Sequence, residues 1–336
     1  MKNSNTVKPS NLSFIATSLF LKLTHTLCYV VLAGSAWAAF PEKPIRVIVT
    51  FPPGGSTDVF VRKIAERMST QLGQPVVVEN RPGSGGIIAA MAVKNAAADG
   101  YTLLLADTGT FAISPYIYAK VPYDILGDFL PITEAASAPF YLVVNAKIPA
   151  RNAAEFLSLV RANPNLNYGS SGNGSPHHLC MEQIKGASGI SMVHVPYRGM
   201  VQTVPAVMSG EVSAMMGGWS TVSGQVRAGN LRVLAIATPR RMAATPEVPT
   251  LLESGMPVDE CFASFGFMAP ASTPDAVVAK LNREIVDAVR SPGMAAQLEA
   301  IGIYPIAGSA AQFGDAIRLQ QRKLLPLVRS LNIRVD

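Results

Sequence analysis

Ile45-Arg46-Val47-Ile48-Val49-Thr50-Phe51-Pro52-Pro53-Gly54-Gly55-Ser56-Thr57-Asp58 is the stretch on which the fold turns. Its first five residues form a short apolar run that reads as a buried strand. Pro52-Pro53-Gly54-Gly55 ends any regular element and makes a turn. From Asp58 to Gln71 the periodicity changes, and Val59, Ile64, Ala65, Met68 and Leu72 fall on one face at helical spacing. Strand, glycine turn and helix in that order are the grammar of a parallel α/β sheet.

The grammar continues outward. Val76–Val78 reads as a strand, Pro82–Gly86 as a glycine-rich turn, the segment through Val93 as a helix, and Thr102–Ala106 as a strand. It restarts after Pro139 with strand Tyr141–Val144, helix Ala153–Ala162, strand Leu166–Tyr168 and the loop Gly169–Gly174. Helix His178–Lys185, strand Met192–Val195, helix Val201–Ser209 and strands Val212–Met216 and Leu231–Ala237 follow. After strand Phe265–Ala269 the chain closes in helices Pro274–Arg290, Gly293–Ala300 and Ala310–Leu331. Two such units without a charge-rich linker predict two domains packed across a cleft, where ligands bind beyond the carboxyl ends of the strands.

Composition agrees and removes other classes. The 336 residues are 49% hydrophobic and 15% charged, which supports a sizeable core and excludes disorder. The net charge of +6 invites a nucleic-acid reading, but its location argues otherwise. Residues 1–38 hold Lys2, Lys8 and Lys22 and no acid, then an apolar run Leu27–Gly34 and the small-residue exit Ala36-Trp37-Ala38. These are the parts of a secretory signal peptide, which addresses the mature chain to export. A membrane anchor is disfavoured because Lys22 and His25 interrupt the apolar run, and Leu27 before Cys28 disfavours a lipid anchor. Losing the leader removes three lysines, half of the net charge, so no nucleic-acid partner is expected. Cys180 and Cys261 remain; they could pair or stay as two buried thiols, and the sequence leaves both open.

Three loops share one design: Phe51–Asp58, Asp107–Thr110 and Ser170–Ser175 each leave a strand, pass through Gly, Ser or Thr, and enter a helix. Glycine lets a ligand approach the backbone, and a helix N-terminus offers unpaired N–H groups. Together they would receive an anion without Lys or Arg. Each loop alone could equally be a turn with a helix cap. Asp58, in a helix first turn, fits stabilisation of the helix dipole. No catalytic pattern is present: there is no G-x-S-x-G elbow, no phosphate loop, no dinucleotide fingerprint in Gly83-Ser84-Gly85-Gly86, and no zinc spacing among His177, His178, His194 and the cysteines. No cofactor, metal or enzymatic activity is expected.

The block PIRVIVTFPPGGSTDVFVRKIAERMSTQLGQPVVVENRPGSGG resembles the opening of the tripartite tricarboxylate transporter substrate-receptor family, also called Bug or TctC-type. ADGYTLLLADTGTFAISP, VPYDILGDFLPIT, LNYGSSGNGSPHHL, VHVPYRG and PEVPTLLESGMP continue the resemblance in order, from about Phe40 to Ile333. It implies a periplasmic-binding-protein clamp of the type II-like kind: two α/β domains, two crossovers and a ligand cleft between them. The implied boundaries are 39–141 plus 264–336 for the first domain and 142–263 for the second. The implied partners are a small carboxylate and membrane permease subunits, with a monomeric receptor. A receptor feeding a membrane sensor would use the same fold; a periplasmic enzyme built on His178 and a loop serine is the remaining alternative.

The resemblance also implies a site. Phe51, Gly54, Gly55, Ser56, Thr57 and Asp58 would face the ligand from the first loop, with Thr108, Gly109 and Thr110 beside them. Ser170, Ser171, Asn173, Gly174 and His178 would face it from the second domain, joined by Tyr197, Gly217 and Gly218. Two departures stand out. Phe111 occupies a position that is usually His, and Val212–Gly218 replaces a typical V-D-V-x-F-D-N stretch. The wall thereby loses an acid and an amide, while Phe111 and Trp219 could fill the space, which suggests a bulkier or more apolar carboxylate.

Overall fold

The computed structural model describes residues 40–335. The signal-peptide features and Cys28 lie outside them. The strands are β1 (Ile45–Val49), β2 (Val76–Asn80), β3 (Thr102–Asp107), β4 (Phe129–Asn145), β5 (Asn167–Ser170), β6 (Val193–Pro196), β7 (Ala214–Gly218), β8 (Leu231–Ile236), β9 (Phe262–Pro270) and β10 (Tyr304–Pro305). Pairing runs β2-β1-β3-β9-β4-β7-β5-β6, with β8 and β10 also on β4. The expected parallel sheet is realised in two patches, β2-β1-β3 and β7-β5-β6. Between them β9 and β4 run antiparallel. They are the segments by which the chain passes from one patch to the other, so the sheet is mixed.

β4 does most to shape the molecule. Its first part, Phe129–Pro139, pairs with β9, and its second, Phe140–Val144, pairs with β7. Only the second part is legible in sequence, because Pro131, Pro139 and a run of small residues weaken the first. Register shifts at Pro131/Thr133 and Glu134/Ala136 absorb the irregularity. Side chains of the second part alternate between two cores. Leu142 and Val144 pack with Phe156, Met181 and Ile184, whereas Tyr141 and Val143 pack with Val204, Val207 and Val222.

Helices are α1 (Ser56–Leu72), α2 (Ile87–Lys94), α3 (Ser114–Ile117), α4 (Ala153–Ala162), α5 (Pro176–Ser188), α6 (Met200–Ser209), α7 (Trp219–Arg227), α8 (Asp275–Val289), α9 (Met294–Glu299) and α10 (Ala310–Ser330). α1 buries Phe60, Ile64 and Met68 and stops at Gly73, whose φ of 64° is the left-handed conformation that glycine adopts freely. α4 begins where the Asn152 side chain accepts from Glu155 N, and α10 where Ser309 and Gln312 form a capping box. α7 escaped the sequence reading because Trp219-Ser220-Thr221 carries little helical periodicity. Among the described residues, no helix is long and apolar enough to cross a membrane. Cys180 and Cys261 are joined as a disulfide with Cα atoms 5.7 Å apart, which closes the choice that the sequence left open.

Candidate functional site

A cavity of about 350 Å³ opens at the carboxyl ends of β1, β2, β3 and β5. Thr50, Phe51, Gly83, Gly85, Gly86, Asp107 and Gly109 form one wall, with α3 and the turn before it. Ser171, Asn173, Gly174, Ser175 and Pro176 form the other. The cavity therefore lies between loops of the two parallel patches. It brings together Phe51, Gly109, Ser171, Asn173 and Gly174 of the expected residues. It adds Thr50, Ser114 and Tyr118, which the sequence reading passed over, and Asp107, which that reading named only as the start of the second loop.

The loop after β1 is braced from behind. Asp58 is buried, and its Oδ2 accepts from Gly54 N at 3.0 Å and Arg62 Nε at 2.9 Å, while Oδ1 accepts from Asn80 Nδ2 at 2.8 Å. Burial alone would push its carboxyl up, but the Arg62 bond and the other donors outweigh that and hold it at about 2. These partners tie Asp58 to the scaffold and away from the cavity lining. Pro52–Gly55 stays exposed, and a Cβ on Gly54 or Gly55 would meet nothing within 4 Å. Gly55 and Gly218 precede α1 and α7 without any side-chain cap, so the first-turn N–H groups keep no side-chain acceptor. The two helix starts meet: Ser220 Oγ donates to Ser56 Oγ at 3.1 Å. Thr57 is buried at the start of α1.

In the second loop the two threonines turn inward. Thr108 Oγ1 accepts from Ser264 N at 2.8 Å and lines a separate cavity of about 190 Å³. Thr110, fully buried, donates from Oγ1 to Asp107 Oδ1 at 2.5 Å, and its carbonyl accepts from Tyr123. Gly86 (φ 89°) must be glycine, because a Cβ there would lie 2.2 Å from Thr110 Oγ1. Burial pushes the Asp107 carboxyl up, opposed by bonds from Thr110 and Gly109. Phe111 does not fill the cavity. A π-helical turn over Gly109–Ile113 carries its ring into the core, edge-on to Phe313 at 5.7 Å. Trp219 likewise packs on Tyr141, with centroids 5.3 Å apart.

Behind the third loop sits a histidine cluster. Ser170 Oγ donates to Gly172 O and lies 2.7 Å from His194 Nε2, and Ser171 Oγ lies 2.9 Å from His177 Nδ1. Gly174 N donates to His178 Nδ1 at 3.1 Å, and the His178 and His194 rings stack at 3.8 Å. His178 and Ser170 are thus supports of the loop and lie outside the cavity lining. Tyr197 donates to Glu211 Oε1, and Gly217 pairs with Tyr141 within the sheet. These two residues and Gly218 also lie outside the lining. Among the described residues no cluster of His, Cys, Asp or Glu could hold a metal.

A family profile described as tripartite tricarboxylate transporter family receptor matches residues 60–333. The chain belongs to this family. A relative from Bordetella pertussis, a protein of the UPF0065 group, is 35% identical over 94% of this chain and 98% of its own. A solved structure titled as a periplasmic transporter superposes with a TM-score of 0.79 at 39% identity, over 88% of this chain and all of the other. The R. palustris protein Rpa4515, solved with adipate, gives a TM-score of 0.80 at 31% identity, covering 88% and 99%. The protein is accordingly a solute-binding receptor with the α/β periplasmic-binding fold, and not an enzyme.

Proposed function

We propose that this receptor captures a small carboxylate in the periplasm by closing two lobes, 39–141 plus 264–336 and 142–263, and hands it to membrane permease subunits. One observation carries the reading: the cavity's walls come from loops of both patches, which β4 and β9 join. Adipate in the R. palustris neighbour supports the ligand class. Among the described residues the lining offers backbone N–H groups and hydroxyls rather than Lys or Arg, and these would make the capture. Thr50 supports it further, because its Oγ1 is buried without a partner, and such a group costs about 1–3 kcal/mol until something pairs with it. Closure follows if ligand contacts both walls, since differential affinity for the closed state shifts the population toward it. The Ser220–Ser56 bond already joins the starts of α1 and α7, one from each lobe, and is a contact that the closed state would keep.

Calorimetry of the mature protein with adipate and related C4–C8 carboxylates tests capture, and small-angle scattering tests closure. Binding is expected with a smaller radius of gyration in the complex. Gly55→Leu, placed where the backbone is extended and the surroundings open, is expected to fold normally and lose binding at least tenfold. Unchanged affinity in that variant would remove Gly55 from the site, and binding without compaction would remove closure.

A further inference from the structure

The cavity of about 190 Å³ that Thr108 borders is a second chamber, whose lining shares only Pro176 with the cavity between the two parallel patches. Leu179 of α5 stands on one side and Leu319 and Leu324 of α10 on the other. Phe140 of β4, Phe262 of β9 and Ile306 after β10 complete an apolar surround. Leu319 and Ile306 keep 44% and 41% of their surface open to solvent, so the chamber has an apolar rim. An apolar cavity of about 150 Å³ already admits benzene, so this one has room for a single ring with a short substituent.

The charges that line it do not balance. Lys323 and Glu260 pair at 2.8 Å and offset each other. Glu134 has no cation beside it among the described residues. Its Oε1 accepts from Ser264 Oγ, and Ser264 N in turn donates to Thr108 Oγ1 at 2.8 Å. Ser264 and Thr108 are both buried, so they fix the carboxylate from the inner side. Oε2 takes no hydrogen bond from any described residue. Burial pushes the Glu134 carboxyl up against the pull of the Ser264 bond, and Glu260 adds to the rise. A carboxylate withdrawn from water without a counter-charge is costly, and a cation brought to it recovers part of that cost.

We propose that this chamber is a second ligand site, for a small arylalkylamine, with the ring among Phe140, Leu179, Phe262 and Leu319 and the ammonium donating to Glu134 Oε2. Apolar walls favour the ring, and one unbalanced acid selects a single positive charge over a neutral or anionic head. The inference stands apart from the carboxylate-receptor reading, because it draws on other residues and on the opposite charge.

The test is calorimetry of the mature receptor near neutral pH with 2-phenylethylamine, which is then fully charged, and with 2-phenylethanol, which has the same shape and no charge. The amine is expected to bind at least about tenfold more tightly, as a hydrogen bond to a charged group allows. Methyl signals of Leu179, Leu319 and Leu324 should shift as it binds the unaltered protein, observed by NMR. Glu134→Gln keeps an acceptor for Ser264 and should bring the two compounds to near-equal affinity. Ala316→Phe, on the face of α10 that lines the chamber, should fill the space and abolish amine binding. Equal or tighter binding of the alcohol to the unaltered protein, or a preference retained in Glu134→Gln, overturns the role of Glu134. Amine binding that leaves the leucine signals unmoved, or that survives Ala316→Phe, lies elsewhere and overturns the site. Failure of both compounds to bind overturns it too. Each of these results leaves the carboxylate reading standing.

Discussion

His177 and His194 show how single side chains behind the third loop set its response to acid. Burial holds both rings well below the ordinary value of 6.5, at about 4, with His178 adding a smaller repulsion at His194. The folded state thus favours the neutral rings, while the unfolded chain takes up protons near 6.5. Stability from this source is complete above that pH and is lost as pH falls through 6.5 toward 4. Denaturant midpoints measured at pH 7.5, 5.5 and 4.5 should decline along that series, and His194→Gln should shrink the decline. A flat series would show that the rings are not withdrawn from water. Sequence alone placed His177 and His178 directly after the loop, but whether they faced the cavity depended on how the folded loop paired with them. Ser171 Oγ occupies Nδ1 of His177, and Gly174 N occupies Nδ1 of His178.

Among the strands and helices, the strand-turn-helix order around β1 and α1 was legible because local apolar spacing reports burial directly. β4 was not, since its first part is a strand only through β9 alongside it. Packing of β9 on α10 is equally non-local: Gly266 sits under the ring of Phe313, and a Cβ there would lie 2.0 Å from Cζ. The ring is fully buried against Phe111 and cannot step aside. Gly266→Ala should therefore destabilise by about 3 kcal/mol, the upper range for overpacking, and read out as a lower thermal midpoint. A midpoint within a degree of the parent would mean that α10 shifts freely on β9.

Across the entire chain, the Cys180–Cys261 bond ties α5 to the segment entering β9 over a separation of 81 residues. Closing a loop of that length restricts the unfolded chain by about 4.5 kcal/mol in the loop-entropy account. Reduction, or replacement of both cysteines by serine, should lower the unfolding midpoint accordingly while leaving carboxylate binding measurable. An unchanged midpoint would show that the bond adds nothing beyond the core around it. An oxidising compartment, where such bonds persist, agrees with a family of periplasmic receptors.

Periodicity and turn chemistry along the chain were enough to establish the α/β grammar and the three glycine-bearing loops, and the resemblance of whole sequence blocks gave the family, because these are properties of neighbours in sequence. Which side of each loop meets the cavity was settled by long-range contacts instead. Thr108 turns away because a backbone N–H at Ser264, 156 residues distant, claims its hydroxyl, and Thr110 turns away because Asp107 does. Thr50 and Asp107 come to the edge together because β1 and β3 pair. Loop glycines carry no periodic signal, so the facing of the residues between them is set by partners that only folding brings within reach.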